Sequence, residues 1–290
     1  MKKRWEERRA LVEKQLVTEI DEEHALDATL AASMKYSLMA GGKRLRPILL
    51  MAAADAVGAD GTQFLHSACA IEMIHTYSLI HDDLPAMDND DYRRGKPTNH
   101  KVYGAGMATL AGDALLTLAF EVMLRGTVSA EKKLAVVREM SVGAGPNGMV
   151  GGQAIDLESE GKHIPMELLR KMHMGKTGAL FRAAIRSGAI LADAPEEKLA
   201  ALTTYAEAFG LAFQITDDIL DVVGDEKVIG KPVGSDIRNE KSTYVTLTSL
   251  DEAKKLADDA VRKGEEALRG FGAEADFLRD LLAYLVKRKH

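Results

Sequence analysis

Two clusters of aspartates are the residues of this 290-residue chain best suited to chemistry. The first cluster, Asp82, Asp83 and Asp88, stands where an apolar stretch that begins near Leu65 meets Pro85. A straight helix would place Asp82 and Asp88 about 240° apart at about 100° per residue. The chain must therefore turn between them before both carboxylates can reach one ion, and a proline favours such a turn.

The second cluster, Asp217, Asp218 and Asp221, follows an apolar run over residues 206–215. Asp217 and Asp221 are one helical turn apart, and Gln214 and Asp218 are predicted to share their stripe of the helix. Like charges at this spacing destabilise a helix unless a cation lies between them. Oxygen ligands without cysteine or paired histidine favour Mg²⁺, which proteins hold with one or two carboxylates and substrate phosphates. Together the two clusters predict a diphosphate site bridged by Mg²⁺.

Basic residues lie close to both clusters in the sequence. The segment GGKRLRP at 41–47 contains Lys43 and Arg46, and its proline suits the first turn of a helix, where anions bind well. Others follow the first cluster, interrupt a helical run or follow the second cluster: Arg93 and Arg94, Lys176 with Thr177, and Lys231 with Lys241. This clustering predicts phosphate contacts.

The elements that must position these residues are predicted to be helices. Apolar residues recur every three or four positions over 65–80, 134–142, 168–191 and 199–220, and no convincing strand pattern is found. Loops are expected at 41–46, 85–97 and 224–241, which are rich in glycine, proline and charge. The sequence predicts an all-α fold in which residues 1–290 form one domain.

Composition excludes some classes of function. A net charge of -6 argues against nucleic acid as a partner, because such proteins use a positive field to attract phosphates. The single Cys69 cannot form an internal disulfide, which fits a reducing compartment. Neither a signal peptide nor a run of about 18 apolar residues is recognised. We therefore expect a cytoplasmic protein without a membrane span.

Six segments, taken in order, resemble the trans-isoprenyl diphosphate synthases, and most closely those of the bacterial farnesyl diphosphate type. They are GGKRLRP, IHTYSLIHDDLPAMDNDDYRRGKPT, GGQAIDL, KTGAL, FQITDDILDVVGD and GKPVGSD. The resemblance implies a large helical bundle around a central active-site cavity, usually a homodimer, with the aspartate motifs facing each other at its mouth. It implies condensation of isopentenyl diphosphate with dimethylallyl and then geranyl diphosphate, giving farnesyl diphosphate and pyrophosphate.

The same resemblance implies roles for individual residues. Mg²⁺ would be bound by Asp82, Asp88 and Asp217, with support from Asp83, Asp218 and Asp221. The allylic diphosphate would contact Arg93, Lys176 and Lys231, and isopentenyl diphosphate would contact Lys43, Arg46, His75 and Arg94. Thr177, Gln214 and Lys241 would belong to the same site, with Thr177 and Gln214 near the carbocation that pyrophosphate leaves behind.

Product length is assigned to Tyr77 and Ser78. If the helix continues to Asp82, Tyr77 lies about 7.5 Å below it, a depth suited to blocking a growing chain. Tyr77 is about 140° from Asp82 around the helix, so this role rests partly on the resemblance. Ser78, one turn below Asp82, is small. The expected product has fifteen carbons.

Other functions stay open at this point. A geranylgeranyl diphosphate synthase would share every motif. A metal phosphohydrolase of the HD type could use His81 and Asp82 with the upstream His66 and His75, although it would not explain the second aspartate cluster. A terpene cyclase usually carries Ser or Thr and then Glu where this chain has Asp221 and Asp225, and a non-catalytic subunit would be expected to lose aspartates.

Overall fold

The computed structural model describes residues 1–22, 26–224 and 241–287, and nearly all elements in these ranges are helices. They are α1 (Lys2–Glu22), α2 (Ala28–Leu38), α3 (Leu45–Ala56), α4 (Leu65–Asp82), α5 (Asn99–Tyr103), α6 (Ala105–Met123), α7 (Ala130–Ala144), α8 (Met149–Ser159), α9 (Met166–His173), α10 (Ala179–Leu191), α11 (Glu196–Val223), α12 (Tyr244–Leu247), α13 (Leu250–Ala267) and α14 (Asp276–Lys287). The predicted all-α fold class is confirmed.

Helices α3, α4 and α10 form the middle of the bundle. Helix α10 packs against α3, α7 and α11, while α4 packs against α3 and α6. Helix α3 is buried throughout from Pro47 to its end at Ala56. A Cβ atom at Gly188 of α10 would lie 2.0 Å from the carbonyl oxygen of Leu50. Only glycine therefore allows α10 and α3 to approach this closely.

The elements predicted from apolar periodicity differ from the structure in three places. The run 168–191 is divided by a π-helical turn, Met174–Gly178, between α9 and α10. The loop expected at 41–46 is shorter than predicted, because α3 already begins at Leu45. A short antiparallel hairpin, β1 (Tyr92–Arg93) with β2 (Lys96–Pro97), corrects the expectation that no strand occurs. Two residues per strand are too few to produce a visible alternation.

Helix α6 bears on the expectation that no segment spans a membrane. Among the described residues, it is the one helix long and apolar enough to cross a bilayer by length and composition. Of its apolar window, 44% is buried inside the protein, where it packs mainly against α4. Core helices of globular proteins have the same length and composition, so the absence of a span stays a prediction.

Candidate active site

The first aspartate cluster lies where α4 ends and the chain folds back on itself. The amide of Asp88 donates a hydrogen bond of 2.8 Å to the carbonyl oxygen of Asp82. Between them, the amide of Met87 donates to the carbonyl of Leu84 at 2.9 Å, with Pro85 inside this turn. Proline suits the second position of a turn because its φ angle is already near the required value. The predicted turn between Asp82 and Asp88 is confirmed.

Asp83 is engaged differently from its neighbour Asp82. It is buried, and its two carboxylate oxygens accept hydrogen bonds from Nε of Arg93, each at 2.8 Å, and from Nη2 at 2.6 Å. This charge-assisted pair joins the β1–β2 hairpin to the end of α4. The metal-supporting role predicted for Asp83 and the phosphate contact predicted for Arg93 both stay predictions, and the structure pairs the two residues with each other.

Asp82 lies in a partly buried, electrostatically crowded position. Burial raises the pKa of Asp82 to about 6, an effect that Lys176 opposes and that the neighbouring carboxylate of Asp88 reinforces. Two carboxylates held together at this cost provide hard oxygen ligands of the kind that Mg²⁺ prefers. In the described part of the chain, no group of three His, Cys, Asp or Glu residues could hold a metal ion by itself. The donor set fits a cation that also takes ligands from a bound phosphate.

Lys176 is carried by the π-helical turn and lies between carboxylates. Its Nζ atom is 2.6 Å from Oδ2 of Asp156 on α8, and Asp82 and Asp88 also interact with it electrostatically. A Cβ atom at Gly152 would lie 2.0 Å from the backbone nitrogen of Lys176, so α8 can pass beneath the turn only with glycine there. The sequence analysis did not single out Asp156, although its segment GGQAIDL was part of the resemblance.

A cluster of basic side chains surrounds His75, which lies seven residues before Asp82 on α4. Burial lowers the pKa of His75 well below its usual value, and four guanidinium groups act in the same direction: Arg46, Arg94, Arg93 and Arg44. A neutral imidazole among four permanent cations is a strong indication of an anion site. The structure therefore brings together three of the four residues predicted to hold isopentenyl diphosphate, Arg46, His75 and Arg94.

The loop before α3 is held in place by a residue that the sequence analysis missed. Arg44 is almost fully buried, with φ of 50°, and its guanidinium donates to Oε1 of Glu72 at 2.9 Å and to the carbonyl of Leu38 at 2.8 Å. A left-handed arginine inside the core has no periodic signal in the sequence. The neighbouring Lys43 is exposed. Arg44 thus anchors the loop, while Lys43 is free to face solvent.

Arg94 connects this loop to the β1–β2 hairpin. Its Nη1 atom donates to the carbonyl oxygen of Gly41. Gly42 has φ of +126°, and a Cβ atom there would lie 2.6 Å from Nη1 of Arg94. Glycine is therefore required at position 42 both for the backbone angle and for the approach of the guanidinium. The anion site is assembled from α4, the first turn of α3 with the loop before it, and the hairpin.

The second aspartate cluster lies near the end of α11. Asp217 is exposed and Asp221 is half-buried, like Gln214, whereas Asp218 is buried. Oδ2 of Asp218 accepts a hydrogen bond of 2.7 Å from the amide of Tyr244, which attaches α12 to α11. Asp218 therefore differs from the other predicted members in burial, and the shared stripe stays a prediction.

The remaining predicted site residues are distributed around these elements. Thr177 lies next to Lys176 on the π-helical turn, which packs against α11. Lys241 is exposed, at the start of the last described range. Lys231 lies outside the described residues.

Tyr77 is buried on α4, one turn before His81, which contacts α6. The rings of Tyr77 and His81 pack edge to face, with their centroids 5.7 Å apart. Nε2 of His81 lies 3.0 Å from the carbonyl of Thr109, and a Cβ atom at Gly112 would lie 2.2 Å from that nitrogen. Ser78 donates to the backbone carbonyl one turn earlier. A tyrosine held in this position is compatible with the predicted role of blocking the growing product chain, and that role stays a prediction.

The histidines required by an HD-type hydrolase are engaged elsewhere. Nδ1 of His66 lies 2.6 Å from Oε1 of the buried Glu19, and His81 is bonded to the carbonyl of Thr109. His75 faces the arginines. These three histidines therefore do not form a common metal site with Asp82.

Comparison with known proteins agrees with this geometry. The family model described as polyprenyl synthetase matches residues 27–270. The chain is 49% identical over 265 residues to farnesyl diphosphate synthase from Bacillus subtilis, covering 90% of each chain. It is 47% identical to geranylgeranyl diphosphate synthase from Cyanophora paradoxa, covering 89% of this chain and 87% of the relative.

A solved structure of geranylgeranyl pyrophosphate synthetase from Pyrococcus horikoshii has a TM-score of 0.89, with 36% identity and coverage of 97% of this chain and 96% of that one. Together, the match to the family model over most of the chain and the identity to relatives along nearly their whole length confirm the family indicated by the motifs. The chain belongs to the polyprenyl synthetase family.

Proposed function

We propose that this chain joins isopentenyl diphosphate head to tail to dimethylallyl and then geranyl diphosphate, forming farnesyl diphosphate and releasing pyrophosphate. The observation that carries the proposal is that α4 contributes to two different anion-binding arrangements, with His75 in the basic one and Asp82 in the acidic one. His75 and its arginines lie seven residues before Asp82, which is about 10 Å along a helix. Two diphosphates bound at this separation would bring their hydrocarbon chains side by side.

The basic arrangement would bind isopentenyl diphosphate without a metal. Arg46 and Arg94 supply positive charge near the neutral His75, and Lys43 is exposed and can join them from solvent. Guanidinium groups suit a phosphate because their planar N–H donors match its oxygens. This arrangement would orient the double bond of isopentenyl diphosphate for attack.

The acidic arrangement would bind the allylic diphosphate, with Asp82, Asp88 and Asp217 as ligands of Mg²⁺. Bound Mg²⁺ would neutralise charge on the diphosphate as it leaves. Lys176 would add a protein charge at the same leaving group, held near it by Asp156. The choice of Mg²⁺ among divalent cations follows from the oxygen-only donor set.

The carbocation would be protected by neutral polar groups and by exclusion of water. Thr177 and Gln214, on the π-helical turn and α11, would direct oxygen atoms towards it. The double bond of isopentenyl diphosphate would attack the cation, and pyrophosphate would accept the final proton. Water would otherwise trap the cation as an alcohol, so the apolar surroundings are part of the chemistry.

Farnesyl diphosphate is favoured over geranylgeranyl diphosphate as the product. The farnesyl diphosphate synthases from Bacillus subtilis and Micrococcus luteus are 49% and 47% identical to this chain. Tyr77 is buried on α4, where a bulky ring would limit the space for a longer chain. A cytoplasmic homodimer is also proposed, and analytical ultracentrifugation would test the dimer.

The proposed function is tested by incubating the protein with isopentenyl and dimethylallyl diphosphates and Mg²⁺, followed by chromatography of the products. Farnesyl diphosphate and pyrophosphate in matching amounts are expected. A twenty-carbon product would assign the geranylgeranyl activity instead. Phosphate release without a new carbon–carbon bond, or cyclic hydrocarbons, would contradict the proposal.

A further inference from the structure

Arg46 rests on an aromatic ring that the sequence motifs did not identify. Its guanidinium carbon lies 4.6 Å from the centroid of the Phe181 ring on α10. Phe181 is fully buried, and two rings of α11 hold it in an edge-on arrangement, Phe209 at 5.2 Å and Phe213 at 5.1 Å. The ring therefore has little freedom to tilt, and it presents its face to the cation.

The guanidinium of Arg46 has few other means of support. Its Nε atom is buried and has no hydrogen-bond partner. Glu72 attracts it electrostatically, but the hydrogen bond to Oε1 of Glu72 comes from Arg44. Arg94 repels it, and burial lowers the pKa of Arg46 to about 10. A long side chain in these surroundings would tend to turn away unless another group held its plane.

We propose that Phe181 is a positioning residue that fixes the guanidinium plane of Arg46 for the diphosphate of isopentenyl diphosphate. The identity of that substrate rests on the proposed function, whereas the positioning of Arg46 by Phe181 rests on the contacts described above. Cation–π attraction is strongest where the cation is desolvated, as it is here. An aliphatic side chain at position 181 would fill the space without supplying the negative face of a ring.

The test measures binding of inorganic pyrophosphate by calorimetry in the presence of a chelator, so that no divalent metal can recruit the aspartates. Phe181→Leu should weaken binding about tenfold. The matched control is Phe277→Leu, since Phe277 is also buried and its ring faces Arg4 and Arg8 rather than Arg46. This control should change the affinity by less than about twofold, because its ring has no described contact with Arg46 or Phe181.

A double-mutant cycle separates positioning from general packing. In the Arg46→Met background, Phe181→Leu should have almost no further effect on pyrophosphate affinity. In steady-state assays, Phe181→Leu should raise the KM for isopentenyl diphosphate about tenfold and leave the KM for geranyl diphosphate unchanged. Phe181→Met provides a second variant with an unbranched side chain should Phe181→Leu fail to fold, as judged by circular dichroism.

Three results would overturn the inference: equal weakening by Phe181→Leu and Phe277→Leu, an undiminished effect of Phe181→Leu in the Arg46→Met background, or no pyrophosphate binding by the metal-free wild-type protein. Failure of the proposed function is a separate observation. In that case the wild-type enzyme would form no elongated product, while the pyrophosphate cycle would still give its own result.

Discussion

The basic and acidic halves of the candidate site are stabilised in opposite ways. In the basic half, protein groups hold the cations: the buried Glu72 binds Arg44, the buried Asp83 binds Arg93, and Gly41 accepts a bond from Arg94. In the acidic half, Asp82 is crowded by Asp88, Asp217 is exposed, and the described residues complete no metal-binding group of three. The comparison teaches that one half is built before any ligand arrives, whereas the other is completed by its ligand.

The comparison is tested most severely by removing one carboxylate at a time. Asp82→Ala or Asp217→Ala should lower kcat at saturating Mg²⁺ by at least about 10²–10³-fold, the loss typical of removing one main electrostatic contribution. The fold should persist, because Asp217 is exposed and Asp82 is only partly buried. Asp259→Ala, on the exposed face of α13, serves as the control in the same kinetic assay. Near-normal turnover in either site variant would contradict the proposed difference between the acidic and basic halves.

Substitutions that break the ion pairs of the basic half should act mainly by lowering the free energy of unfolding. Arg44→Met leaves Glu72 as a buried charge without its partner, which typically costs about 3–5 kcal/mol. Urea unfolding of this variant should show a loss of that size, and the double variant Arg44→Met with Glu72→Leu should recover much of it, because no isolated charge remains. A loss equal in the single and double variants would show that the pair does not act as a unit.

Tyr77 lies on α4 between the two halves and offers a change in product without a change in either binding arrangement. Replacing Tyr77 by Ala should shift the main product from fifteen carbons towards twenty or more, since the buried ring would no longer occupy its space. Chromatography of the products measures this shift. Ser78→Ala, which removes one hydroxyl, should keep the fifteen-carbon product. An active Tyr77→Ala variant whose main product still has fifteen carbons would exclude Tyr77 as the residue that blocks chain growth.

The smallest effect concerns pH in the absence of metal. Burial raises the pKa of Asp82 to about 6 in the folded protein, from an ordinary value of 3.8. Between about pH 4 and pH 6, the folded state therefore holds more protons at this group than the unfolded state does. The group thus lowers the free energy of unfolding as pH rises through this range. Urea titrations in chelator should show this slope, and Asp82→Asn should flatten it. An unchanged slope in Asp82→Asn would mean that Asp82 is not the crowded carboxylate.

Local features of the site could be predicted from the sequence. Apolar spacing placed Asp82 near the end of a helix, and Pro85 indicated the turn that brings Asp88 back to it. The helix that carries Asp217 was found in the same way, but the different burial of Asp218 depends on its contact with Tyr244. Such a contact joins residues far apart in the chain and leaves no local pattern.

The supports of the basic half could not be predicted for the same reason. Arg44, at the start of α3, reaches Glu72 on α4, and Lys176 meets Asp156 only because a π-helical turn lies over Gly152. Phe181 was one apolar residue among many on its helix until the packing placed Arg46 above it. Sequence motifs identified groups able to touch a substrate, whereas the groups that orient them are defined by tertiary packing.

The most direct test of the contrast between the two halves is to measure binding of each substrate with Mg²⁺ and with chelator, by calorimetry on the same protein. Isopentenyl diphosphate, alone, should bind with an affinity that changes less than about threefold on metal removal, because guanidinium groups hold it. Geranyl thiodiphosphate, an unreactive allylic analogue, should lose at least about thirtyfold, since its carboxylate site repels an anion without the metal. Equal losses for both ligands would contradict the account.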